Sequence, residues 1–239
     1  MRSITYCGHD FADWCSAEVV ERAACDVAAD AYAVPGRWGA LLVAGHVPPV
    51  EVTVRLFLDL GLRADALRLA DARHLLRSWL CEPVGGTLVL PSDPEVEYRD
   101  ALMTSCSDWD SLFEGGSCEV TFTLFDPVAW GLGRCERTEA FEVGGSRPTW
   151  PTFSLVAAAG ASAQVSELAT ERFVQVEHTF RGGEVVTIDC ATEMVTIDGL
   201  DARVCVTLGS DFFSLDPGTA SLRYAGCMAH ECSFTERWA

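Results

Sequence analysis

The clearest group of potential metal ligands in the sequence is Cys227-x-x-His230-x-Cys232. Structural zinc sites usually take four Cys or His ligands, and many supply them as two closely spaced pairs. The second Cys-x-x-Cys half of such a site is missing from this sequence. We therefore interpret the three residues as alternating positions of a terminal strand, and predict no metal site.

A pair of carboxylates, Asp108 and Asp110, flanks Trp109. Two carboxylates beside an aromatic ring could act on a glycosidic bond. The stretch around them, Ser105–Gly116, is polar and contains two glycines. We therefore interpret it as a solvated connection between two strands rather than as an active site.

Three common motifs of enzyme active sites are absent from the sequence. It contains no phosphate-binding Gly-x-x-x-x-Gly-Lys-Ser/Thr loop, no His-Glu-x-x-His and no Gly-x-Ser-x-Gly. The histidines are scattered: they are His9, His46, His74, His178 and His230. We predict no catalytic residue, no cofactor and no enzymatic activity.

Composition narrows the possible partners. The 239 residues carry a net charge of −18, from 17 Lys+Arg against 35 Asp+Glu. Such a balance argues against binding to nucleic acid or to anionic membranes, because both depend on clustered basic residues. The first residues lack the apolar core of a signal peptide, so we expect the 11 cysteines to be reduced and mostly buried.

The first half has an α+β pattern with mostly antiparallel pairing. Val50–Leu60 alternates between apolar and polar residues, which predicts a strand with one buried face. Asp65–Leu80 carries an apolar stripe at helical spacing and is the one convincing helix. Further short strands are predicted at Ser16–Arg22, Thr87–Leu90 and Cys118–Phe125.

The second half reads as a β-sandwich without helices. Glycines and prolines concentrate between residues 128 and 150, so we expect a hinge there and two domains, 1–128 and 129–239. Eight short strands are predicted: 153–157, 163–167, 173–180, 184–190, 194–197, 202–208, 219–224 and 228–234. Asp198-Gly199 is a strong hairpin signal, and Val204, Val206 and Leu208 are expected to continue the inner face.

An interface is predicted at Arg37 and Trp38. These two residues lie side by side in the stretch Val34–Gly45, after the turn signal Pro35-Gly36. Arginine and tryptophan are enriched where proteins contact each other. A Trp folded back on its own core is the alternative.

Several segments, taken in order, resemble the distal tail proteins of long-tailed bacteriophages. In the first half they are AVPGRWGALL before the long strand, the helix ending in SWL, PSDPEVEYRDALM and TFTLFDPVAWG. In the second half they are GEVVTIDCATEMVTIDG, SDFFSLDPGTASLRYAG and the terminal FTERWA. Each segment alone is weak evidence. The resemblance rests on their occurring in the same order over most of the chain.

The resemblance implies a structural protein. It implies an N-terminal β-domain with one helix that forms a six-membered ring, and a C-terminal galectin-like β-sandwich. The implied partners are other copies of the chain, the tail tube protein, the tail-associated hub protein and receptor-binding components. The implied location is the virion tail tip, after assembly in the host cytoplasm. The acidic balance fits a lumen that lets DNA pass without binding it.

Two other functions stay open on the sequence. A galectin-like sandwich can bind sugar, with Trp130 or Trp150 as stacking residues, so a lectin-like tail accessory protein is one alternative. The sequence lacks the group of side chains with which a sugar-binding galectin holds its ligand. This absence makes the lectin-like alternative less favoured. A tail-tube or adaptor protein is the other, and it would lack the second half.

Overall fold

The computed structural model describes residues 2–24, 26–59, 61 and 66–239. The chain divides into two compact units, one of residues 1–130 with Ala239 and one of residues 131–238. No helix in the described part of the chain has the length and apolar character to cross a membrane.

The first unit is built from one antiparallel sheet, two helices and a separate hairpin. Its strands are β1 Thr5–Tyr6, β2 His9–Asp10, β3 Cys15–Arg22, β4 Ala28–Ala33, β5 Ala40–His46, β6 Val50–Leu58, β7 Gly86–Leu90, β8 Asp93–Cys106, β9 Ser117–Leu124 and the start of β10 Ala129–Glu136. The helices are α1 Ala66–Leu80 and α2 Trp109–Glu114. The main sheet has the order β3-β6-β9-β8-β7-β1-β2, with antiparallel neighbours throughout.

Alternation along β6 places one face of this sheet in the core. Every second residue from Val50 to Leu58 is buried. The residues of β9 that lie opposite them, from Cys118 to Leu124, are buried as well. The predicted strand is therefore confirmed, while its last predicted residue, Leu60, lies outside the described residues.

Helix α1 packs through the apolar stripe that the sequence predicted. Ala72, Leu76 and Leu80 are buried, and the ring of Trp79 lies edge-on to Phe11 at 5.3 Å. The predicted first residue of the helix, Asp65, lies outside the described residues.

The expectation of an irregular connection at Ser105–Gly116 is wrong, because the stretch contains helix α2. Asp108 is the N-cap: it is extended, and its side chain accepts a hydrogen bond from the backbone N–H of Asp110. A carboxylate in this position satisfies an amide that has no partner within the helix. Leu112 and Phe113 are buried and hold the helix on the sheet.

The second unit is a two-layer sandwich. Its strands are the rest of β10, β11 Ala140–Val143, β12 Thr152–Ala157, β13 Gly160–Glu167, β14 Phe173–Phe180, β15 Val185–Asp189, β16 Met194–Ile197, β17 Leu200–Asp201, β18 Gly218–Ala225 and β19 Cys227–Trp238. One layer has the order β17-β16-β15-β12-β19-β10 and the other β11-β18-β13-β14. The core between them includes Phe153, Phe213 and Ile188, each fully buried.

The Asp198-Gly199 hairpin is confirmed as the turn from β16 to β17. Asp198 has φ 50° and Gly199 has φ 79°, both in the left-handed region that this two-residue turn requires. The stretch 128–150, within which a hinge was expected, contains all of β10 and β11, and the division between the two compact units falls within it.

The strand predicted at Ala202–Leu208 is wrong. Residues Arg203–Cys205 form a 3₁₀ turn instead. The carboxylate of Asp201 accepts hydrogen bonds from the Arg203 backbone N–H and from its guanidinium, and such local bonds compete with strand pairing. Val204 and Leu208, which were expected to face the core, are 92% and 107% exposed.

Candidate functional site: an unpartnered hairpin

Strands β4 and β5 form a two-stranded sheet of their own. The two strands are antiparallel. Ala28 lies opposite His46 at one end and Ala33 lies opposite Ala40 at the other, with a shift in register between Asp30 and Ala31. Neither strand pairs with any other described strand. We call this element, residues 27–46, the arm hairpin.

The tip of the arm hairpin carries both residues that the sequence predicted for an interface. The turn is closed by the N–H of Arg37, which donates to the carbonyl of Val34 at 3.1 Å. Gly36 and Gly39 have φ values of 82° and 80°, which a residue with a side chain adopts only with strain. Arg37 is exposed, and Trp38 between these glycines is 100% exposed. The alternative of a Trp folded back on its own core is therefore excluded.

Apolar side chains are exposed on both faces of the arm hairpin. Tyr32 and Leu41 lie opposite each other on one face, and Leu42 lies on the other. Tyr32 is 65% exposed, Leu42 is 70% exposed and the neighbouring Val43 is 72% exposed. The charged groups within its strands stay near the base, where Asp30 lies 3.7 Å from the His46 ring.

This pattern indicates a segment that another molecule covers. A strand that faces solvent on one side alternates between apolar and polar residues, whereas a strand buried on both faces is apolar throughout. The stretch Ala40–Gly45 is apolar throughout, and yet each of its residues is exposed in the single chain. An isolated two-stranded hairpin is also only marginally stable in water. The arm hairpin therefore has the features of an assembly interface.

Sequence reasoning found the tip of the arm hairpin but not its strands. Ala23–Ala33 was ambiguous between strand and helix, because its alanines favour neither periodicity. The available signal was the run ALLVAG after a glycine turn, which has strand length but no alternation.

The group Cys227, His230 and Cys232 lies on a strand, as predicted. All three belong to β19; Cys232 is fully buried, and the His230 ring stacks on Tyr224 with 3.8 Å between ring centroids. Among the residues that the structure describes, no three His, Cys, Asp or Glu side chains are grouped to hold a metal ion.

The other aromatic and acidic candidates have structural partners. Asp108 caps α2, and Asp110 lies 3.8 Å from Arg73. The guanidinium of Arg99 covers one face of the Trp130 ring, at 3.9 Å from its centroid. Trp150 is 45% exposed, and Arg237 lies over its ring at 5.1 Å.

The thiols of the described cysteines are free, and they differ in exposure. Cys81 and Cys135 are exposed, whereas four others are buried: Cys15, Cys118, Cys190 and Cys232. Alkylation needs an accessible thiolate, and burial removes both the access and the charge. At neutral pH we expect iodoacetamide to modify Cys81 and Cys135 rapidly and the buried four only after urea is added. Mass spectrometry of the peptides measures this, and equally fast modification of Cys232 would contradict the packing described here.

Comparisons with known proteins agree with this fold. Residues 144–238 match the family model of the siphovirus-type tail component, C-terminal domain. The crystal structure of Dit from phage SPP1, described as a paradigm of the hub adsorption apparatus in phages infecting Gram-positive bacteria, matches with a TM-score of 0.79 and 17% identity, over 99% of each chain. Two structures of the phage P2 baseplate give TM-scores of 0.46 and 0.45 at 7% and 8% identity, over 92% of this chain and 90% of theirs. No curated protein matches the sequence.

These matches confirm the resemblance that the collinear segments indicated. The second half carries the tail component domain, and both halves together have the fold of a distal tail protein. Residues 144–238 are thus similar to the C-terminal domain of siphovirus-type tail components, and the chain as a whole has the fold of Dit from phage SPP1.

Proposed function

We propose that this protein is a structural hub of a phage tail tip. It assembles through the arm hairpin into a closed ring of six copies, which joins the tail tube to the tail-associated hub protein and to receptor-binding components. It acts at the virion tail tip after assembly in the host cytoplasm, and it catalyses no reaction.

The observation that carries this proposal is the arm hairpin itself. A fold shared with a hub protein of another phage suggests the role, and the hairpin supplies a surface for self-association. Tyr32, Trp38 and Leu42 are each at least 65% exposed on an element that pairs with no other strand in the described part of the chain. Trp and Tyr that become buried at an interface commonly contribute the largest part of its binding energy.

The acidic character of the chain supports a ring through which DNA passes. Its net charge of −18 repels phosphate groups at short range. A lumen that bound DNA would retain it, because binding depends on basic side chains that release counterions.

The test is the mass of the assembled protein. We expect mass photometry to show a species of about 155 kDa, six times the 25.9 kDa chain, together with rings in negative-stain images. Trp38→Ala removes the fully exposed ring at the tip, and Leu42→Glu places a charge in the apolar face. Each is expected to weaken association at least 100-fold, which corresponds to about 2.7 kcal/mol.

Val204→Glu is the matched control, because Val204 is 92% exposed and lies outside the arm hairpin, in the second unit. This variant is expected to form the same rings as the unmodified protein. Monomers alone over a wide range of concentrations would contradict the proposal, and so would rings that survive both hairpin substitutions unchanged.

A further inference from the structure

The second unit contains a cleft of about 620 Å³, within the range of ligand-binding pockets. It lies where the end of β14, the loop after it and the β16–β17 hairpin meet, and its lining includes His178, Arg181 and Leu200. The arm hairpin takes no part in it, since that element belongs to the first unit.

One wall of the cleft is a strand edge that is only half covered. Along the first half of β14, a later segment of the same chain lies against the outer edge: the N–H of Thr207 donates to the Gln175 carbonyl at 3.0 Å, and Asp211 donates to Phe173 at 2.8 Å. The last contact of this kind is the bridge between Val176 and Val206. Beyond it, residues Arg203–Cys205 form the 3₁₀ turn, and no further bridge to β14 follows in the described part of the chain.

The outer edge of residues 177–179 therefore carries no strand in the described part of the chain. Backbone N–H and C=O groups on such an edge are a template for another extended chain. The segment that covers residues 173–176 shows that this edge accepts an added chain, and the cleft begins where that segment ends.

The β16–β17 hairpin contributes apolar residues to the cleft. Ile197 and Ala202 are among its lining residues, and Leu200 beside them is 75% exposed. In strand addition, main-chain hydrogen bonds provide affinity and pockets for alternate side chains provide specificity. An apolar side chain from an added strand would cover Leu200.

The rim of the cleft carries more negative than positive charge. The carboxylate of Asp201 is paired with Arg203 at 2.6 Å, and the lining also includes Glu184 and Asp198, with Arg181 and His178. Hydrogen bonds from backbone N–H groups, that of Arg181 first, hold the pKa of Glu184 below its usual value, so this carboxylate stays ionised. The net charge of −18 adds attraction for a cation.

We propose that this cleft binds an extended, cationic peptide segment of a partner protein. The segment adds a strand to the outer edge of β14 at residues 177–179, places an apolar side chain over Leu200, and directs a basic side chain toward Asp198 and Glu184. This activity is separate from ring formation and does not depend on it.

The probe is a fluorescein-labelled hexapeptide, Arg-Val-Arg-Leu-Arg-Val, added to the full-length protein at physiological salt and followed by fluorescence anisotropy. We expect saturable binding. The peptide Glu-Val-Glu-Leu-Glu-Val is expected to bind at least 100-fold more weakly. A cationic peptide with alternate backbone nitrogens methylated is expected to lose at least tenfold, because it keeps the side chains but lacks the donors on one edge.

Variants of the protein locate the site. Leu200→Ser is expected to weaken binding at least tenfold, and Leu208→Ser, which changes an equally apolar and 107% exposed residue outside the cleft, less than twofold. Asp198→Asn removes a charge but keeps an oxygen that can accept the hydrogen bond from the Val185 N–H. It is expected to weaken binding several-fold and to reduce its dependence on salt.

Four results would overturn the proposal: no binding of the cationic peptide, equal losses in the Leu200 and Leu208 variants, full affinity of the methylated peptide, or displacement of the peptide by neutral oligosaccharides. The last would assign the cleft to a sugar instead. Mass photometry of the same variants separates this site from the ring, whose mass none of them is expected to change.

Discussion

Raising the pH from 8 to 10.5 is expected to remove about 5 kcal/mol of stability from each compact unit, because each unit contains two deeply buried thiols. Cys15 and Cys118 lie in the first unit and Cys190 and Cys232 in the second, and all are at most 4% exposed. Burial raises the pKa of Cys15 and of Cys190 to about 12, and it raises the pKa of Cys118 and Cys232 as well.

The sign of the effect follows from the protons that each state binds. Below the ordinary thiol pKa of about 8.5, folded and unfolded chains are both protonated and these thiols add no pH dependence. Above it the unfolded chain loses protons that the folded chain keeps, so unfolding becomes easier by about 1.4 kcal/mol per thiol and pH unit. Native domains are stable by only about 5–15 kcal/mol, so the loss brings both units close to unfolding.

Urea unfolding between pH 7.5 and 10.5, with a reducing agent present, measures this dependence. Cys118→Ala is expected to reduce the slope for the first unit, whatever its effect on stability at pH 7.5. Cys81→Ala is the control, because Cys81 is exposed. In this variant the pH dependence of the unfolding free energy is expected to equal that of the unmodified protein. A stability that does not vary with pH over this range would show that the four thiols are not protected.

Gly226→Ala is expected to destabilise the second unit by about 2–5 kcal/mol. Gly226 joins β18 to β19 with φ 69°, and an added Cβ would lie only 2.0 Å from the Ser162 carbonyl oxygen. The left-handed backbone costs a side-chain-bearing residue about 1–2 kcal/mol. Crowding against a neighbouring strand adds about 1–3 kcal/mol, because backbone cannot move aside as a flexible side chain can.

Gly199→Ala separates the two contributions. Gly199 has φ 79°, close to that of Gly226, but nothing lies within 4 Å of its Cβ position. This variant is expected to lose only about 1–2 kcal/mol, so the difference between the two measures the close approach to Ser162. Equal losses in urea unfolding would mean that the β18–β19 turn relaxes away from Ser162.

The sequence predicted best where one periodicity ran for several residues. β6 alternates over nine residues and α1 repeats over fifteen, so the side of each that faces the core could be deduced. α2 was missed because six residues contain fewer than two helical turns, too few to show a period. At Ala202–Leu208 the alternation was present, but the hydrogen bonds between Asp201 and Arg203 favoured a turn.

The arm hairpin shows a different limit. Its apolar sequence indicates that Leu41, Leu42 and Val43 become buried. It does not identify the molecule that buries them. The folded chain leaves all three exposed, and only this exposure distinguishes an interface from an ordinary core strand. Arg37 and Trp38 could be proposed from residue type alone, whereas the surface that continues from them required the structure.

The register shift near the base of the arm hairpin is relevant to whether the proposed assembly stays finite. Paired strands with free edges and apolar faces are also the units from which fibrils grow. The register shift between Asp30 and Ala31, with the Asp30 carboxylate beside His46, interrupts the flat edge on which an endless stack would depend. In the proposed ring, contacts confined to the outer part of the hairpin would fix one rotation between neighbours. A repeated rotation that closes gives a finite particle, whereas one that does not gives a filament.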